Sequence, residues 1–149
     1  MIENIQNPFF EATKNVFNLM LDLQDVSETS AENFNHNECV NICIGVTGDL
    51  TGKIVYKFAD QTSLRVVNII SGMEIDSIDD FVTSAVSEIA NIISGNVFSI
   101  LAETNIICDI LPPYVATAED DKEYHIDKNV CIVTSVGNVC LSIKLDKSK

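Results

Sequence analysis

The chain reads as an α+β domain, with about three helices packed on a mostly antiparallel sheet of five or more strands. Three observations predict it. Apolar residues recur at helical spacing in three separate stretches, two segments joined by glycines alternate apolar with polar residues, and two further apolar runs close the sequence. The 149 residues, 46% of them hydrophobic, suit a single domain over 1–149 with a substantial core.

Asn7 and Pro8 make a cap and first-position pair, after which Phe9, Ala12, Val16, Leu19, Met20 and Leu23 recur with helical period, predicting a first helix of about four turns. The polar, acidic stretch from Asp25 to Asn37 predicts a loop. Val40, Ile42, Ile44 and Val46 alternate cleanly, as do Ile54, Tyr56 and Phe58. Thr47-Gly48-Asp49-Leu50-Thr51-Gly52 lies between them, so the whole is an antiparallel hairpin. Asp60 is placed to cap a second helix through Leu64, Val67, Asn68 and Ile70, which stops near Gly72, where a left-handed residue is needed. Acidic residues from Glu74 to Asp80 lead into a long third helix, whose first turn they suit electrostatically. Asn105 to Leu111 is a strand ended by Pro112-Pro113, and Ala116 to Lys128 is a charged connection. Val130 to Val136 and Val139 to Leu145 form two last strands around a tight turn at Gly137-Asn138.

Nine Lys and Arg stand against 22 Asp and Glu, a formal net charge of −13 that repels phosphate backbones and anionic lipid headgroups. Nucleic acid and membrane surfaces are therefore poor partners. No 18-residue apolar run is apparent, and the amphipathic start is interrupted by Glu11, Lys14, Asn15, Asn18 and Asp22, unlike a signal-peptide core; the expected location is cytoplasmic. Five cysteines, Cys39, Cys43, Cys108, Cys131 and Cys140, sit among valines and isoleucines, and their odd number argues for reduced core thiols over a disulfide framework. His36, Cys39 and Cys43 lack the paired C-x-x-C of a zinc site, and His36 and His125 read as surface residues.

The third helix carries the chemistry. Ser84, Glu88, Asn91 and Gly95 fall at i, i+4, i+7 and i+11, within a stripe roughly 60° wide at about 100° per residue. Val82, Ala85, Val86, Ile89, Ala90, Ile93, Val97, Ile100 and Leu101 make up a broad apolar side facing the core. The polar ridge has no lysine or arginine, so it lacks the i,i+4 ion pairs of a merely solvated face. A mid-helix glycine costs about 1 kcal/mol relative to Ala, and Gly95 is accounted for by close approach of another surface. Asn68-Ile69-Ile70-Ser71-Gly72 repeats the five residues Asn91-Ile92-Ile93-Ser94-Gly95, but Arg65 stands where the second copy has Glu88. Gly72 is explained as a helix stop, so the first copy is not treated as a site.

The run from Ser84 through Glu88, Asn91 and Gly95 to Asn96 resembles the signature helix of the CheC/CheX/FliY family of CheY-phosphate phosphatases. That signature is a Ser or Asp, a Glu four residues on, an Asn three beyond, and a small residue further along. Glycines 45, 48 and 52, the run Val55-Tyr56-Lys57-Phe58, the helix end at Ser71-Gly72-Met73, and Pro112-Pro113 resemble the same family in the same order. The CheC members carry a second Glu-x-x-Asn on the N-terminal helix. Here Glu11-Ala12-Thr13-Lys14-Asn15 puts Asn one residue late, about 100° around the helix. The resemblance is therefore greatest to CheX, with one active site per subunit.

The resemblance implies that the chain dephosphorylates a phosphorylated CheY-like response regulator and works as a homodimer. No cofactor is expected on this chain, because the receiver domain brings its own Mg²⁺ and lysine. Asn91 would position the attacking water: an amide oxygen accepts from that water without placing negative charge beside the phosphoryl group. Glu88, one turn away, would pair with the receiver lysine. Ser84 would extend the contact, and Gly95 with Asn96 would let the receiver backbone come close. The alternative is a non-catalytic adaptor that binds a receiver domain.

Overall fold

The computed structural model describes residues 4–29, 38–116 and 122–148. Among the described residues there are three helices, α1 (Gln6–Leu21), α2 (Asp60–Ser71) and α3 (Asp80–Ala102), and strands β1 (Ser27–Thr29), β2 (Cys39–Gly48), β3 (Leu50–Ala59), β4 (Cys108–Ile110), β5 (Tyr114–Val115), β6 (Ile126–Thr134) and β7 (Gly137–Lys147). All strand pairings are antiparallel, in a seven-stranded sheet ordered β1-β6-β7-β3-β2-β4 with β5 also on β2. The predicted α+β class is the observed one. Val40, Ile42, Ile44 and Val46 of β2, Ile54, Tyr56 and Phe58 of β3, and Val139, Leu141, Ile143 and Leu145 of β7 are buried in the core shared with the helices. Their period of two is the one that the sequence displays.

Several local readings need correcting. α1 begins at Gln6, and Ile5, not Asn7, occupies the cap position without a side-chain bond; Ile5 is fully buried, so an apolar anchor sets the entry to the helix. Asp60 lies inside the first turn of α2 behind Ala59, and its backbone N–H donates to the carbonyl of Glu38. The stretch read as a loop contains β1, whose Ser27 and Glu28 are exposed on the sheet edge and so lack an apolar signature; residues 30–37, with His36, lie outside the described residues. The last turn is at Ser135–Val136, not Gly137-Asn138. Thr134 Oγ1 donates to the Gly137 carbonyl and accepts from the Val136 N–H, which closes the turn two residues early. Gly137 opens β7 at φ 127°, and a Cβ there would collide with Thr62 of α2.

The cysteine expectation is also corrected. Cys131 and Cys140 are directly opposed on β6 and β7, with Cα atoms 4.1 Å apart, and are joined by a disulfide. The spacing is that of a narrow cross-strand pair. The odd count concealed it because opposition depends on strand register, which the misplaced turn obscured. α3, moreover, is long and apolar enough to cross a membrane by length and composition, against the expectation of no such run. Its apolarity has an internal cause: it is the central core helix, packed against α1, α2 and β2.

Two contacts fix α3 from beneath. Phe98 meets Phe9 of α1 edge-on, with ring centroids 6.2 Å apart and planes at 88°. Ser94 and Tyr56 of β3, both fully buried, share a hydroxyl hydrogen bond of 2.6 Å. Burial pushes the Tyr56 phenol well above the ordinary tyrosine value of 10.0. Tyr56→Phe or Ser94→Ala strands one buried hydroxyl and is expected to cost about 1–3 kcal/mol in urea unfolding, whereas the double variant recovers most of it. The raised phenol keeps its full contribution below pH 10.0 and loses it above, so Tyr56→Phe should also flatten the alkaline decline of stability.

Candidate active site

The phase of α3 is set at its first turn, where the Asp79 carboxylate accepts from the Val82 N–H at 3.0 Å. With that start fixed, Val82, Val86, Ile89, Ala90, Ile93, Val97 and Leu101 go into the core. At 3.6 residues per turn the opposite side must then face out. Ser84, Glu88 and Gly95 are exposed, and Asn91 and Asn96 are half-buried. All five sequence-predicted site residues therefore share the accessible surface of one helix, with Asn96 turned toward its margin.

Among the described residues, neither Glu88 nor Asn91 has a side-chain hydrogen bond or ion pair within the subunit. Besides Asp80, Glu88 is the single charged residue of the helix. A Cβ built on Gly95 meets nothing within 4 Å, so nothing among the described residues requires glycine there. The ridge holds a carboxylate and a carboxamide, each with unused bonding capacity, and at Gly95 a bare segment of helix.

The first copy of the repeated pentapeptide behaves differently. Asn68 Oδ1 accepts from the Ile75 N–H at 2.7 Å, and Gly72 terminates α2 at φ 73°. That carboxamide is consumed in holding the link between α2 and α3. On α1, Glu11, Lys14 and Asn15 are all exposed, without the i,i+3 pairing of Glu88 and Asn91. Cys39 Sγ donates to Asn41 Oδ1, and burial raises the thiol pKa of Cys39.

Sequence reasoning missed two kinds of residue. The Tyr56–Ser94 bond was legible only as a serine on an otherwise apolar helix side, facing a strand with a tyrosine in its core row. Phe81 and Ile92, 48% and 38% exposed, were passed over because their neighbours at i+1 belong to the core pattern.

A convex helix surface with these groups fits a protein that acts on a partner's surface, not one that encloses a small molecule. The family model for the chemotaxis phosphatase CheX matches residues 40–136, a span that includes the hairpin, α2 and the whole of α3. The chain belongs to that family. The CheY-P phosphatase CheX of Thermotoga maritima is 35% identical over 80 residues, 53% of this chain and 52% of the relative. The match thus spans about half of that curated relative's length. Chemotaxis protein CheX from Vibrio vulnificus has the same fold, with a TM-score of 0.81 at 22% identity over 98% of this chain and 99% of that one. The CheX of the CheX–CheY–BeF3–Mg²⁺ complex from Borrelia burgdorferi shares it too, with a TM-score of 0.74 at 22% identity over 95% and 97% of the two chains.

Because, among the described residues, neither Glu88 nor Asn91 has a side-chain hydrogen bond or ion pair within the subunit, substitution on the ridge should spare the fold. Asn91→Ala and Glu88→Ala are expected to stay within about 0.5 kcal/mol of wild type in urea unfolding. Gly95→Ala should raise stability by about 0.5–1 kcal/mol. A loss above about 1 kcal/mol in any of the three would show that the residue packs within the subunit.

Proposed function

We propose that this protein hydrolyses the aspartyl phosphate of a CheY-like response regulator in chemotaxis signalling. The observation that carries the reading is the outward, unpartnered Glu88–Asn91 pair on the helix of a chain that belongs to the CheX family. The Thermotoga maritima relative is named a CheY-P phosphatase, and the Borrelia burgdorferi relative is a CheX crystallised with CheY, which supports a receiver as the partner.

Hydrolysis of an acyl phosphate needs a water in line with the leaving oxygen and stabilisation of the charge that develops on the phosphoryl group. The partner's Mg²⁺ and lysine supply the charge stabilisation; no cofactor is assigned to this chain. Asn91 accepts a hydrogen bond from the water through its amide oxygen and holds it for attack. A carboxylate in that place would face the negative phosphoryl oxygens at close range. Glu88, one turn back with Cβ about 5–6 Å away, pairs with the receiver lysine and fixes the docking register. Ser84 adds a hydroxyl at the near end. Gly95, beside Asn96, leaves room for the receiver backbone.

The homodimer implied by the family resemblance belongs to the same proposal, and the exposed apolar edge at Leu111, Tyr114 and Val115 offers a surface for it. So does a cytoplasmic location.

Asn91→Ala is expected to lower phosphate release from a phosphorylated receiver by a factor on the order of 10² or more, by loss of water orientation. Glu88→Ala should weaken receiver binding about tenfold in a titration. Unchanged release kinetics in the first variant would remove Asn91 from its role. Binding of the receiver with no shortening of its phosphoryl lifetime by wild type would leave an adaptor.

A further inference from the structure

We infer that affinity for the receiver comes from an apolar strip beside the ridge, Phe81 and Ile92, which accepts apolar side chains of the receiver. The inference rests on the phosphatase reading and adds which part of α3 binds and which part reacts. Phe81 and Ile92 are eleven residues apart, about 20° from perfect alignment and roughly 16 Å along the axis. Glu88 stands seven residues after Phe81 and four before Ile92, so the strip runs the length of the proposed contact.

Single exposed apolar residues are ordinary on a protein surface. This pair is distinguished by its continuity with the ridge. Phe81 is 48% and Ile92 38% exposed, on a helix whose aliphatic residues are otherwise mostly buried. The polar ridge by itself is a narrow grip, because one Glu–Lys pair and a water-holding amide leave further affinity to be supplied by large anchors. Protein interfaces draw most of their binding energy from a few large anchors ringed by near-neutral contacts. Phe81 and Ile92 are the large side chains available in this place.

The geometry also separates binding from chemistry. Asn91 lies on the other flank of the ridge, roughly 80–100° around the helix from the strip, with Glu88 between. A receiver seated over Phe81 and Ile92 leaves the carboxamide at the margin of the contact, where water reaches it. Damage to the strip should therefore act on KM, and damage to Asn91 on kcat.

The test uses the full-length chain and a CheY-like receiver from the same genome, phosphorylated by a small-molecule phosphodonor. Phe81→Ser and Ile92→Ser are each expected to raise KM about tenfold with kcat within twofold of wild type, and Phe81→Leu to restore most of the loss. Thermal unfolding of each variant is measured alongside to establish that it is folded. Unchanged KM in both serine variants, while Asn91→Ala has lost turnover, overturns the strip and leaves the phosphatase reading standing. If wild type binds the receiver without shortening its phosphoryl lifetime, the phosphatase reading fails and the strip is judged by Kd for the same variants. If the serine variants instead turn a dimer into a monomer in light scattering, the strip is covered by a second copy and the inference is wrong.

Discussion

The burial of one side of α3 governs everything else in this molecule. Its apolar face is sunk into the layer between α1, α2 and the sheet, with Val82, Val86, Ala90, Ile93 and Val97 completely covered. A helix committed in this way has no rotational freedom. A turn of one residue would expose aliphatic side chains and bury Glu88 without a partner, at a cost of several kcal/mol. The Asp79 cap fixes the start of the helix, the Phe98–Phe9 contact fixes its tilt against α1, and the Ser94–Tyr56 bond ties its middle to β3. The helix surface that carries the outward side chains is thereby held in position. On the proposed reading, this rigidity suits a site that holds a water at one place relative to a docked surface.

The division of labour follows from charge. A chain with a formal net charge of −13 is poorly suited to stabilising phosphoryl charge itself. On the proposed reading it leaves that role to the partner's cation and lysine, and contributes one neutral acceptor and one carboxylate. The acceptor acts on the water and the carboxylate on the partner. Keeping the two on successive turns lets each meet a different group, and the glycine one turn further on leaves the ridge without a side chain there.

The sequence made the architecture legible wherever periodicity was strong. The β2–β3 hairpin, α2 with its stop at Gly72 and α3 with its acidic start were all readable, because an amphipathic element buries one face and displays its period. Legibility failed where energy came from elsewhere. β1 is three polar residues held by pairing with β6, which no local pattern announces. The final turn was placed on the obvious Gly-Asn pair, although the Thr134 hydroxyl closes it earlier and the glycine answers to Thr62 of α2. Cys131 and Cys140 come together through that same register.

The ridge was the most legible part of the candidate site, because polar residues on an otherwise apolar helix are informative. Its supports were not, since Tyr56 and Ser94 are linked across 38 residues of sequence. The apolar flank was hidden because Phe81 and Ile92 look like core in a linear reading. The central claim is that a neutral carboxamide at position 91 holds the attacking water, and replacing it with the isosteric carboxylate tests this most directly. With catalytic amounts of protein and a phosphorylated receiver, wild type should shorten the phosphoryl lifetime, whereas Asn91→Asp should leave it near the spontaneous value, slower than wild type by a factor on the order of 10². A lifetime shortened as much by Asn91→Asp as by wild type, or unaltered by wild type, would contradict the account.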